Sequence, residues 1–117
     1  MGLDYKPKQG NICYLNFSPT KGHEQNGYRP ALIISGPDFN NLTNLIVVCP
    51  ISSNIKRFPT HYILKNTKKI NGALLCEYIR STDYNARKLT YVESLNDEEL
   101  YEVIDIINGI IEKELNF

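Results

Sequence analysis

The chain contains no tryptophan, one methionine and three cysteines, and its charges cancel: 13 Lys and Arg against 13 Asp and Glu. No apolar run approaches the roughly 18 residues of a membrane-spanning helix, so none is expected. No basic stretch followed by an apolar one opens the sequence, which argues against an export signal. The odd cysteine count, with Cys13, Cys49 and Cys76 all in apolar runs, then points to reduced thiols and a cytoplasmic location. Neither a Cys-x-x-Cys nor a His-x-x-x-His spacing occurs, so no zinc site is expected, and nothing calls for a cofactor.

The zero net charge hides an asymmetry. Residues 1–90 hold 12 Lys and Arg and 5 Asp and Glu, a balance of +7, whereas residues 91–117 hold 1 and 8, a balance of −7. A basic body with an acidic end suits an anionic partner on the body, the acidic end reading as the solvated face of a helix. A length of 117 residues implies one domain spanning 1–117.

Short apolar segments separated by turn formers dominate the pattern. Strands are expected at 11–17, 29–36, 45–51, 61–64, 72–80 and 89–92, with one helical turn after Gly36 and an irregular stretch at 81–87. Residues 1–9 read as a loose lead-in. One clear helix closes the chain. Asn96 can cap it, with Glu99 completing a capping box, and Leu100, Val103, Ile104, Ile107, Ile110 and Ile111 recur at helical spacing. Short strands followed by one packing helix imply an α+β, mainly β fold: a small SH3-like twisted barrel with a packed C-terminal helix.

The chemistry concentrates between the first two strands. Pro19, Gly22 and Gly27 forbid helix there, and Lys21, His23, Glu24 and Arg29 fall within nine residues. They supply a fixed cation, a group titrating near neutrality and a carboxylate. Arg29 precedes Pro30, which pushes its backbone to extended geometry at the start of the second strand. A long loop on a rigid sheet is a common seat of function.

The run Pro19-Thr20-Lys21-Gly22-His23-Glu24-Gln25-Asn26-Gly27-Tyr28-Arg29-Pro30 resembles the Pro-x-x-Gly-[Ser/His]-Glu-Gln-x-Gly-x-Arg-Pro signature of the MazF/PemK toxins. The resemblance extends over nearly the whole chain, including Ile-Arg-Ser-Thr-Asp-Tyr-Asn-Ala-Arg at 79–87. It implies a metal-independent, sequence-specific endoribonuclease toxin that cuts single-stranded RNA, leaving a 2′,3′-cyclic phosphate and a 5′-hydroxyl. It also implies a homodimer and a cognate antitoxin of MazE/PemI type with an acidic, flexible segment.

Within that reading Arg29 is the first catalytic candidate, because its fork of donors matches phosphate. Ser52 stands where the family carries threonine or serine and can donate to a non-bridging oxygen; Ser53 competes for the role. Glu24 is a proton acceptor, an orienter of Arg29 or a base contact. His23 matches the histidine of the Kid branch, but that branch also uses an arginine and an aspartate on a later strand, where this chain has Leu75 and Glu77. RNA contacts are expected from Thr20, Lys21, Gln25, Tyr28, Ser53, Lys56, Arg57, Phe58 and Glu77. Lys68 and Lys69 read as phosphate-positioning cations, and Arg80 with Asp83 as structural.

Two other readings compete. One is a non-enzymatic poison of the same fold, like the CcdB toxins; the absence of tryptophan weighs against it, since those toxins typically carry one near the C-terminus. The other is an SH3-like binding module with Tyr28, Tyr62 and Tyr78 lining a peptide groove.

Overall fold

The computed structural model describes residues 5–17 and 27–112. Its elements in chain order are β1 (Asn11–Asn16), β2 (Tyr28–Ile33), α1 (Pro37–Thr43), β3 (Leu45–Ser52), β4 (His61–Ile63), β5 (Ala73–Leu75), a 3-10 turn (Cys76–Tyr78), β6 (Arg80–Asp83), β7 (Thr90–Ser94) and α2 (Asp97–Ile111). All strand pairs are antiparallel, in the order β4-β5-β3-β2-β1-β7, with β6 also paired to β3. The mainly β architecture with a packed C-terminal helix is the expected one. Among the described residues, though, no ladder joins β4 to β7, so the sheet is twisted but not closed by hydrogen bonds.

β3 is buried along both faces because two cores flank it. On one side Ile12, Leu32, Cys49, Ile51 and Leu74 pack against Val103 and Ile107 of α2. On the other, Cys13, Leu15, Phe17, Ala31, Ile33, Ile46 and Val48 form a second cluster under Tyr84 and Leu89. A strand with apolar neighbours on both faces reads as an unbroken Val/Ile run rather than an alternation, as 45–51 does.

The expected strand over 72–80 is instead β5, a turn and the first residue of β6, and the stretch expected to be irregular holds the rest of β6. The register explains this. β5 pairs with β3 as Ile51↔Leu74 and Ser52↔Ala73, and β6 as Val48↔Arg80 and Leu45↔Asp83. Paired numbers sum to 125 in the first ladder and 128 in the second. The chain therefore returns along the same edge of β3 with three extra residues, which the 3-10 turn takes up. Pro50 falls in the stretch of β3 that neither segment pairs. An interior proline with no N–H to give is tolerated there.

Both ends of the chain depart from expectation. The lead-in is tied down over its described part: Pro7 is buried, its carbonyl accepts from Asn40 Nδ2 at 3.3 Å, and Tyr5 Oη donates to Asn11 Oδ1 at 2.6 Å. At α2, Asn96 Oδ1 does accept the Glu99 N–H at 2.8 Å. The Glu99 carboxylate, however, does not close a capping box. It is buried and takes the Lys65 and Asn66 N–H groups and the Tyr62 hydroxyl, at 3.0, 3.1 and 3.0 Å. A carboxylate satisfied by backbone donors from another element is worth more to the fold than one bond back to its own cap. Ile110 and Ile111, expected on the packed stripe, are exposed.

Candidate functional site

The end of the sheet where β1 gives way to 18–26 carries the candidate site. Phe17 N–H donates to the Gly27 carbonyl at 2.8 Å, so the described residues on either side of that stretch are pinned together. Thr20, Lys21, His23, Glu24 and Gln25 lie outside the described residues. Arg29 follows at the start of β2, opposite Leu15 of β1, and is partly buried.

The β2–β3 ladder pairs Ala31 with Pro50 and Ile33 with Val48. Carrying the same register two residues further sets Arg29 across from Ser52, because 31 + 50 and 29 + 52 give the same sum. Strand alternation puts both on the face of Ala31 and Pro50. Tyr28 and Pro30 belong to the opposite face, as do Tyr14 and Ile51. The two serines thus divide: Ser52 shares the face of Arg29, and Ser53 that of Tyr28.

A groove of about 520 Å³ runs over this end, bordered by Tyr14, Tyr28, Arg29, Ile51, Ser53 and Lys69 among others. The Tyr28 ring stacks on Tyr14 at 5.4 Å and 13° and is 56% exposed, while its hydroxyl donates to Thr90 Oγ1 at 3.0 Å. An aromatic plate braced from behind and open in front suits an unpaired base. The Ser52 hydroxyl accepts the Asn54 N–H at 3.1 Å, which fixes the side chain. Among the described residues its own proton has only the Asn54 carbonyl, at 3.5 Å, a contact long enough for a better acceptor to displace.

Lys69 reaches the groove because its loop is clamped. Glu93 on β7 accepts the backbone N–H groups of Lys68, Lys69 and Ile70 at 2.9, 2.8 and 2.9 Å. Burial works to raise the Glu93 carboxyl pKa, but these three donors outweigh it and hold it below the ordinary value. Gly72 ends the same loop at φ +145°, where a β-carbon would collide with the Ser52 carbonyl and an Ile51 methyl.

The other expected RNA contacts gather elsewhere. Arg57 and Phe58 border a smaller pocket of about 230 Å³ with His61, Tyr62, Ile63 and Lys65. Both Glu77 oxygens are engaged, Oε1 by the Thr60 hydroxyl and Oε2 by His61 Nε2, each at 2.8 Å. Lys56 contributes its carbonyl, which contacts His61 Nδ1 at 2.8 Å. Arg80 lies over the Phe17 ring at 5.6 Å, and Asp83 caps its own turn through the Asn85 N–H at 2.9 Å, in keeping with structural roles. His61, Glu93 and Gly72 are absent from the sequence-level candidates. Each acts across 16 or more residues of chain, and no local pattern marks such a partner. Among the described residues no cluster of His, Cys, Asp and Glu could hold a metal ion, the three cysteines are buried and free, and no helix is long and apolar enough to cross a membrane.

Sequence and structure comparisons both find relatives of this chain. The family model for PemK-like, MazF-like toxins of type II toxin–antitoxin systems matches residues 8–111. The endoribonuclease toxin MazF of Escherichia coli K12 is 32% identical over 107 residues, covering 92% of this chain and 96% of the relative. The endoribonuclease PemK of Escherichia coli is 32% identical over 108 residues, covering 89% and 81%. The crystal structure of MazF from Deinococcus radiodurans superposes with a TM-score of 0.88 at 33% identity, covering 94% of this chain and all of that one. A MazE–MazF structure from the same organism gives 0.81 at 28% identity, covering 95% and 100%. The chain belongs to the PemK-like, MazF-like toxins of type II toxin–antitoxin systems.

Proposed function

We propose that this chain is an endoribonuclease toxin that cuts single-stranded RNA at particular sequences without a metal ion. The observation that supports the reading is the β2–β3 register, which when continued sets Arg29 across from Ser52, next to a groove that Arg29 and Ser53 border. The 2′-hydroxyl of the RNA attacks the adjacent phosphorus and loses its proton to a base, for which we assign Glu24. The phosphorane carries extra negative charge, which Arg29 meets with its fork of donors and Ser52 with one hydroxyl. The bond to the 5′-oxygen then breaks; that oxygen takes up a proton, and the products are a 2′,3′-cyclic phosphate and a 5′-hydroxyl. Arg29 acts as an electrostatic group, since a guanidinium does not give up its proton in a protein. His23 lines the RNA path, because Leu75 removes the arginine on which a Kid-style histidine depends.

Tyr28 and Ser53 read bases, Lys69 and the Lys56–Arg57 pair meet phosphates, and Thr20, Lys21 and Gln25 complete the recognition surface. The functional unit is a homodimer. The antitoxin presents an acidic segment to the basic body; the MazE–MazF structures of Deinococcus radiodurans support an antitoxin as partner. The endoribonuclease names of the relatives support the same activity.

Incubating the purified protein with a long transcript in excess chelator tests the reading. Discrete fragments, with cyclic phosphate on one side and 5′-hydroxyl on the other, are expected, and their ends give the recognised sequence. Intact RNA, or fragments that appear only when a divalent ion is restored, would refute it. Intact RNA together with inhibition of DNA gyrase would favour the alternative of a non-enzymatic, CcdB-like poison, whose target would be that topoisomerase.

A further inference from the structure

His61 sits between two acceptors. Its Nδ1 is 2.8 Å from the Lys56 carbonyl and its Nε2 is 2.8 Å from Glu77 Oε2. A carbonyl has no proton to give, and an ionised carboxylate has none either. A neutral imidazole carries one N–H and would leave one of these contacts as lone pair against lone pair. Only the imidazolium satisfies both. Its side chain is 10% exposed, so an unmatched contact would not be repaired easily by water.

The ring also organises the loop that precedes it. The His61 backbone N–H donates to the Phe58 carbonyl at 2.9 Å, and the Phe58 ring lies 5.4 Å from the imidazole. Thr60 is held by Glu77 through its hydroxyl and by the Cys76 N–H through its carbonyl, at 3.1 Å. The segment bearing Lys56, Arg57 and Phe58 is thus fastened to β4 and the 3-10 turn through one ring and one carboxylate. We propose that His61, as an imidazolium bridging the Lys56 carbonyl and Glu77, is a positioning residue that holds this basic loop in the shape that meets single-stranded RNA. It follows that RNA affinity falls as pH rises and the ring releases its proton. The proposal rests on the RNA-cleaving reading above.

The charges around the ring agree with that state. Glu77 faces it from the 3-10 turn, Lys56 and Arg57 from the loop, and Lys65 from the end of β4. The Cys49 and Cys76 thiols lie near Glu77. Burial opposes the cation and so does Lys56, but the Lys56 carbonyl and Glu77 outweigh them and raise the imidazole pKa above 6.5. Glu77 is held below its ordinary value in turn: burial works upward, and His61, its own backbone N–H and Thr60 outweigh that. A raised histidine pKa stabilises the clamp fully below the unfolded value and ceases to do so as pH rises through the folded one.

Two measurements on the full chain test this. In a two-bond proton–nitrogen NMR titration, His61 should show both ring nitrogens protonated, with its midpoint above the ordinary imidazole value. A neutral-ring pattern at about pH 6 would overturn the proposal. Binding of a 2′-O-methyl RNA, which cannot be cleaved, should weaken roughly three- to tenfold between about pH 6 and 8.5, with the same midpoint. Glu77→Gln should move both midpoints down together, and His61→Asn should remove the pH dependence. Binding that ignores the titration of His61, or midpoints that move apart, would overturn the clamp while leaving the nuclease reading intact. Absence of RNA binding at every pH, with His61 still doubly protonated, would overturn the RNA reading and with it the role assigned here.

Discussion

The Glu93 carboxylate accepts the backbone N–H of Lys69 at 2.8 Å, so a residue of β7 decides where the cationic wall of the groove stands. Lys68 and Ile70 donate to the same carboxylate. Three backbone donors on one anion make a clamp whose worth depends on the anion being charged.

Glu93→Gln should therefore cost about 1–2 kcal/mol at pH 7, the value for losing charge-assisted bonds discounted for partial exposure. The sign of the pH dependence follows from the depressed carboxyl. Its contribution is present above the ordinary value of 4.5 and is lost as pH falls through the lower folded value. Urea midpoints at a series of pH values should show wild type and variant converging in acid. A gap that stays constant down to about pH 3 would show that the clamp does not depend on the charge.

Arg29→Ala should reduce cleavage on the order of 100-fold or more, by analogy with removing a single oxyanion donor, while the fold persists because β2 is held through its backbone. Arg29→Lys should be nearly as damaging, since a point charge does not replace a planar fork. Single-turnover rates, with circular dichroism to confirm folding, decide the matter. A folded Arg29→Ala protein that cuts at the normal rate would remove Arg29 from the mechanism.

The parts of this protein that were legible in advance are those written in local pattern. β3 announced itself by a Val/Ile run, α2 by its spacing and its Asn96 cap, and the loop before Arg29 by a signature dense enough to name a family. What escaped were the relationships that join distant segments. Residues 72–80 alternate like one strand, and only the register on β3 shows that three residues must be absorbed at Cys76–Tyr78. Glu99 has the spacing of a capping box, yet burial under β4 offered it better donors. His61 looked like the first residue of a strand, and its partner Glu77 is 16 positions away. Pairings of this kind depend on how the strands are laid side by side, which periodicity does not encode.

Gly72→Ala should be unusually costly for so small a change. At φ +145° a side chain is strained by about 1–3 kcal/mol, and a β-carbon there would run into the Ser52 carbonyl and the Ile51 methyl. The neighbour that must yield is the backbone of Ser52 itself, so cleavage should fall along with stability. Thermal unfolding and single-turnover rates on the same variant test both halves. Wild-type stability would contradict the packing argument, and a destabilised protein with a normal rate below its melting point would show that Ser52 need not be held in place.

Ser52 and Ser53 are neighbours that the sheet sends to opposite faces, and their substitutions should separate accordingly. Ser52 shares the face of Arg29, and its hydroxyl is oriented by the Asn54 N–H while keeping a proton to give. A donor aimed at developing charge matters most in the transition state. Ser52→Ala should therefore slow single-turnover cleavage while leaving affinity for a non-cleavable RNA close to normal. Ser53 borders the groove beside Tyr28 and Lys69, and the role proposed for it, reading a base, is a contact that ground and transition states share. Ser53→Ala should weaken binding, or blur the sequence preference, with little change in the rate of bound RNA. If the two variants exchanged these behaviours, strand alternation would have assigned the wrong serine, and the chemical step would have to be placed on the Tyr28 side of the sheet.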